Sequence, residues 1–135
     1  MLRVIEGGQR QALAGDRREG GDALMAAARE EVRRRSDRRL VLGPDLFSDP
    51  AWDMLLDLFL ARDTGQRVAV SSLCVASGIP TTTALRWIRL LEAQGLLLRE
   101  RDREDGRRSF VDLTPLARDK VETLLRRSLL HRVED

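Results

Sequence analysis

The chain has 135 residues, 42% of them apolar and 34% charged, with 24 basic residues against 22 acidic ones and a net charge of +2. That length supports one domain with a modest core, and the charge balance excludes a histone-like polycation. A single cysteine and a single histidine exclude an internal disulfide framework and the usual Cys- or His-rich metal sites.

The longest apolar runs are far shorter than a membrane span, and the N-terminus lacks an apolar signal core, so a soluble cytoplasmic protein is expected. All basic residues but Lys120 are arginines. A GC-rich genome accounts for such a bias, yet guanidinium also pairs with phosphate and guanine edges in a bidentate way that ammonium cannot.

Residues 1–21 read as a flexible tail punctuated by glycines. A helix is expected over 22–39, capped by Asp22, with Leu24, Met25, Ala28 and Val32 on one side. Its basic end, Arg33–Arg35 and Arg38–Arg39, suits a solvated helix C-terminus or, alternatively, a DNA backbone contact. Gly43-Pro44 breaks the chain. Asp49-Pro50 then caps a helix to about Arg62, whose Trp52, Leu55, Leu56, Phe59 and Leu60 form a core face. Val68–Val70 reads as a short strand. Ser71 or Ser72 caps a brief helix containing Leu73, Cys74, Val75 and Ala76, which Gly78 ends.

Pro80 cannot continue that helix, and Thr81 or Thr82 caps the next one, which runs to about Gln94. Ala84, Trp87, Ile88 and Leu91 point inward by spacing; Thr82, Leu85, Arg86 and Arg89 are left on the outer face. Gly95 stops the helix. Strands are expected over Leu96–Arg101 and Phe110–Leu113, around a polar hairpin, Asp102 to Arg108, with Gly106 at its turn. Thr114-Pro115 starts a last helix, whose Leu116, Val121, Leu124, Leu125, Leu129 and Leu130 give it more apolar surface than a small domain needs.

The order of these elements predicts a mainly α chain with a small β-wing, an α+β winged helix-turn-helix, which presents one helix and one loop to duplex DNA. Residues 44–114 form its core, while helices 22–43 and 115–135 are candidates for dimerisation. The threonines Thr81, Thr82 and Thr83 and the free N–H groups of the helix start suit phosphate contact. Arg86 is placed to reach a guanine edge, Arg89 to touch backbone, and Leu85, if exposed, to meet a thymine methyl group. Ser71 joins this set. On the wing, Arg103, Arg107 and Arg108 suit a narrow minor groove, and the interleaved acids, Asp102, Glu104 and Asp105, argue against indiscriminate phosphate binding.

Several of these pieces together resemble the MarR family of winged-helix transcriptional regulators. They are Gly78-Ile79 with Thr82-Thr83, Leu91-Glu92 with Gly95-Leu96, then Asp102, Asp105-x-Arg107 and Leu113-Thr114. The resemblance spans roughly residues 47–130. It implies a homodimer that binds a near-palindromic operator. It also implies Arg107 in the minor groove and Thr81, Thr82, Thr83 and Arg86 in the major groove. Three features depart from the family pattern. Gly106 stands where the first of an arginine pair is usual, Trp87 where an aliphatic residue is usual, and one helix follows the wing where two are usual.

Cys74 reads as a small core residue, with a redox-sensing thiol as the alternative. His131 reads as a surface group. No Ser/His/Asp set and no phosphate loop can be drawn, so no enzyme and no cofactor are expected. The leading reading is a sequence-specific double-stranded DNA-binding regulator. Two others stay open: a winged-helix protein-interaction module, suggested by the near-neutral charge and the apolar last helix, and a non-specific DNA-associated protein, suggested by the basic segment 29–39. The operator and any small-molecule effector cannot be read from the residues.

Overall fold

Phe110 occupies the middle of a three-stranded antiparallel sheet, opposite Ala69 on one side and Glu100 on the other. The computed structural model describes residues 14–43 and 47–134. Its elements are α1 (Ala14–Leu42), α2 (Pro50–Asp63), β1 (Val68–Ala69), α3 (Val70–Ser77), α4 (Thr81–Ala93), β2 (Leu97–Arg101), β3 (Ser109–Leu113) and α5 (Pro115–Glu134). The strand order is β1-β3-β2. The helices and this sheet make the expected α+β winged helix.

One core joins all these elements. Leu24, Met25, Ala27 and Ala28 of α1 pack with Met54, Leu56, Leu58 and Phe59 of α2. Leu73 and Cys74 of α3, Ala84, Ile88 and Leu91 of α4, and Ala117, Val121 and Leu125 of α5 join them. The sheet supplies Leu97, Val111 and Leu113, which face inward by the two-residue period of a strand. Met54 and Leu58 were not anticipated as core. Trp52, Leu55 and Leu60, which were, are half-buried at its edge.

The first helix is longer than its sequence suggests. Residues 14–21, expected in a tail, are helical and carry Gly20 and Gly21 inside the helix; residues 1–13 lie outside the described residues. Glycine costs about 1 kcal/mol in a helix interior. A helix already nucleated by the packed turn around Leu24–Ala28 extends at much lower cost than a new one forms.

Four of the expected caps also differ, beginning with Asp22, which lies inside α1 rather than at its start. Asp49 holds the N-cap of α2, but its side chain makes no capping hydrogen bond. For α3 the N-cap is Ala69 rather than a serine, because the helix takes in Val70, expected in the strand. For α4 it is Pro80 rather than a threonine, because its extended backbone (ψ 143) turns directly into the helix. The Thr114 cap is as expected: its Oγ1 accepts from the Ala117 N–H at 3.0 Å.

Glycine conformation fixes both turns around α4. Gly78, at φ 71, ends α3, and the two residues after it, Ile79 and Pro80, lead straight into α4. At the other end, the Gly95 N–H donates to Glu92 O at 3.0 Å and the Leu96 N–H to Leu91 O at 2.9 Å. This is the Schellman pattern, and it needs the left-handed backbone of Gly95, φ 75.

Candidate nucleic-acid interface

α4 is buried along Ala84, Ile88 and Leu91 and open along its other side. The first helical hydrogen bond runs from the Ala84 N–H to Pro80 O at 2.9 Å, so the N–H groups of Thr81, Thr82 and Thr83 have no partner within the helix. With Pro80 as the N-cap, the three threonine side chains are exposed and capping does not engage them. The helix thus begins with a row of hydroxyls and free N–H donors at its positive end, an arrangement suited to an anionic oxygen.

Arg86 and Arg89 follow on the exposed side, and neither pairs with a carboxylate among the described residues. Leu85 is half-buried against the core, so the exposure assumed for a thymine contact is only partial. Trp87, expected inside, is half-buried at the core edge. Ser71 is exposed in the first turn of α3.

The wing is built from its own polar groups. The Asp102 N–H donates to Arg108 O at 2.9 Å and the Arg108 N–H to Asp105 O at 3.0 Å. Asp105 Oδ1 accepts from the Arg107 N–H at 3.1 Å and from Arg107 Nε at 3.2 Å. Asp102 Oδ1 accepts from the Glu104 N–H at 2.9 Å, and Asp102 Oδ2 lies 3.5 Å from Arg108 Nε. Two of the acids are therefore structural: Asp105 aims Arg107, and Asp102 closes the base of the hairpin. Arg107 itself is 93% exposed. Arg103 is exposed and has no ion pair among the described residues.

Two connections escaped the sequence reading. Arg99 of β2 donates through Nε and Nη2 to Glu92 of α4, at 3.2 and 2.8 Å, and so ties the wing strand to the exposed helix. The opposite charges flanking Gly95 were the available signal. The basic end of α1 is engaged within the protein. Arg35 and Arg39 both reach Asp53 of α2, Arg33 and Arg34 pair with Glu30, and Trp52 Nε1 donates to Glu31 at 2.8 Å.

Cys74 is 3% exposed, and burial pushes its thiol up, with a smaller opposing effect from Arg99; that environment is unlike the electropositive, accessible one of a reactive thiol. His131 is exposed. A cleft of about 540 Å³ opens between the end of α2 at Leu58 and Arg62, Arg67, and the sheet residues Leu98, Phe110 and Asp112. Among the described residues no cluster of three His, Cys, Asp or Glu could hold a metal ion, and no helix is long and apolar enough to cross a membrane.

No protein-family model matches the chain, and no curated protein matches it in sequence. Solved structures do match. The S. aureus MepR structure in a DNA-binding conformation superposes with a TM-score of 0.54 at 20% identity, over 77% of this chain and 74% of that one. The likeness to it is one of fold, a winged helix. The S. aureus MepR–DNA complex gives 0.54 at 21% identity, over 78% of this chain and 81% of that one. NadR in complex with 4-hydroxyphenylacetate gives 0.52 at 19% identity, over 99% of this chain and 82% of that one. Within the winged-helix fold, α4 is the second helix of the helix-turn-helix and residues 102–108 are the wing.

Proposed function

We propose that the chain is a sequence-specific double-stranded DNA-binding transcriptional regulator that acts as a dimeric repressor in the cytoplasm, on the nucleoid when bound. The observation that carries this reading is the exposed side of α4. Three threonines and a helix N-terminus stand beside two arginines that pair with no carboxylate among the described residues. In this reading Thr81, Thr82, Thr83 and Arg86 enter the major groove, and Ser71 and Arg89 meet backbone. Arg107, aimed by Asp105 and supported by Arg103, enters the minor groove. The MepR–DNA complex supports it by likeness of fold.

The dimer is proposed to form through α1 and α5, which pack on each other within the protomer and still expose Leu40, Val41 and Leu42 on one and Leu116, Leu124 and Leu130 on the other. Apolar surface of this kind suits a partner of the same kind.

Selection of bound duplexes from a random DNA pool tests the proposal. An enriched inverted repeat, with half-sites about one helical turn apart, is the expected result. Retention without any enriched motif would replace it with non-specific association. No retention even at low salt would favour the protein-interaction module.

A further inference from the structure

Two arginines converge on one aromatic ring at the root of the wing. The guanidinium carbon of Arg67 lies 4.0 Å from the centroid of the Phe110 ring, and that of Arg108 lies 4.8 Å from it. Both distances fall within cation–π range. Each guanidinium is also tied to a carboxylate: Arg67 Nη2 to Glu100 at 3.6 Å and Arg108 Nε to Asp102 at 3.5 Å. Glu100 is the cross-strand partner of Phe110, and Arg67 immediately precedes β1. The cluster therefore spans all three strands, with Phe110 at its centre and the hairpin rising from its Arg108 side.

From this arrangement we infer that Arg67, Phe110 and Arg108 form a brace that sets the direction of the wing, and that Arg108 serves the brace instead of contacting DNA. Arg107 and Arg108 are neighbours with different surroundings. Arg107 is 93% exposed and, among the described residues, pairs only with Asp105 of its own turn, whereas Arg108 is 54% exposed and lies over the ring. Asp102, at 16% exposure, uses one carboxylate oxygen for the Glu104 N–H and the other for Arg108. A pull on Arg108 is thus transmitted to the turn that carries Arg107. Beyond its base the wing packs on no other element among the described residues and is held by these polar contacts, so a modest brace decides how ordered it is. Phe110 and Arg67 become positioning residues for Arg107.

The inference rests on the proposed DNA reading for its consequence, but its structural part is measurable without DNA. In the free full chain, Phe110→Leu and Arg108→Gln are expected to speed hydrogen exchange at the Asp102 and Arg108 amides several-fold. Phe110→Tyr, which keeps the ring, restores protection, and Arg107→Gln leaves it unchanged. Unaltered exchange in Phe110→Leu and Arg108→Gln would overturn the brace. On a selected duplex, Arg107→Gln is expected to lower the slope of log affinity against log salt by about one, the signature of a lost phosphate-proximal cation. Arg108→Gln and Phe110→Leu weaken binding with the slope intact. A slope lowered by about one in Arg108→Gln would make Arg108 a DNA contact and overturn its assignment. Failure of the unmodified chain to bind any duplex would contradict the DNA reading, and the exchange result alone would then decide the brace.

Discussion

Arg35 of α1 and Asp53 of α2 share a two-point contact, Nε to Oδ1 at 2.5 Å and Nη2 to Oδ2 at 3.3 Å. Arg39, one turn further along α1, adds Nη1 to Oδ2 at 2.9 Å. One carboxylate thus clamps two turns of the first helix to the second. The hydrogen bond to Asp53 is the main reason the Arg35 pKa is raised. Asp53→Ala leaves two guanidinium groups half-buried without their acceptor and is expected to cost roughly 1–3 kcal/mol. Urea unfolding should show a lower midpoint at unchanged slope; Arg39→Ala, which spares the Arg35 contact, should cost less.

Asp57, one turn after Asp53, provides a pH signature. Burial, with a further push from Asp53 against the pull of Arg39, raises its pKa from 3.8 to about 6. The folded chain therefore holds this proton more tightly than the unfolded chain. The contribution of Asp57 to stability is complete below about pH 4, falls as pH rises towards about 6, and stays low above it. Asp57→Asn removes that loss. The variant should exceed the parent at pH 7 by on the order of 1 kcal/mol, less than the full shift implies because the group is partly solvated. The gap should close at about pH 4. Thermal melts of both chains across that range check it; a gap independent of pH would contradict it.

Thr114 joins the wing to the last helix. Its Oγ1 donates to Gly95 O at 2.7 Å and accepts from the Ala117 N–H at 3.0 Å, while its own N–H reaches Leu96 O at 3.1 Å. Thr114→Ala removes a helix cap and a cross-link to the turn after α4, at an expected cost of about 1–2 kcal/mol. Thr114→Ser keeps the hydroxyl and should retain most of it. Denaturant midpoints of the two variants give the comparison.

Gly106 is not required by the backbone. Its φ is not positive, unlike that of Gly95, and a Cβ built there meets nothing within 4 Å. Gly106→Arg should therefore fold normally and add a cation to the wing tip. If the wing meets DNA, affinity rises several-fold at low salt and the salt slope steepens by about one. Unchanged affinity and slope would place the tip away from the duplex.

What could be read from the residues depended on how local the determining physics was. Gly78, Gly95 and the Thr114-Pro115 cap were legible because a left-handed turn or a cap constrains residue type over a few positions. The buried face of α4 was legible from its period, and the wing from its run of charges between two strands. The start of α1 was not, because the packing of Leu24–Ala28 outweighs the weak helix propensity of Gly20 and Gly21. Neither was the fate of Arg35 and Arg39: their acceptor lies 18 and 14 residues away and becomes a neighbour only when α1 crosses α2. The Arg67–Phe110–Arg108 cluster was hidden for the same reason, since it needs the strand register to bring its members together.

The central claim is that this winged helix reads sequence, and the direct measurement is affinity at one physiological salt concentration. The unmodified chain is titrated with its selected duplex and with a scrambled duplex of the same composition and length. A preference of at least about 10³ for the selected site is expected, lost largely in Arg86→Ala. Equal affinity for the two duplexes would contradict it.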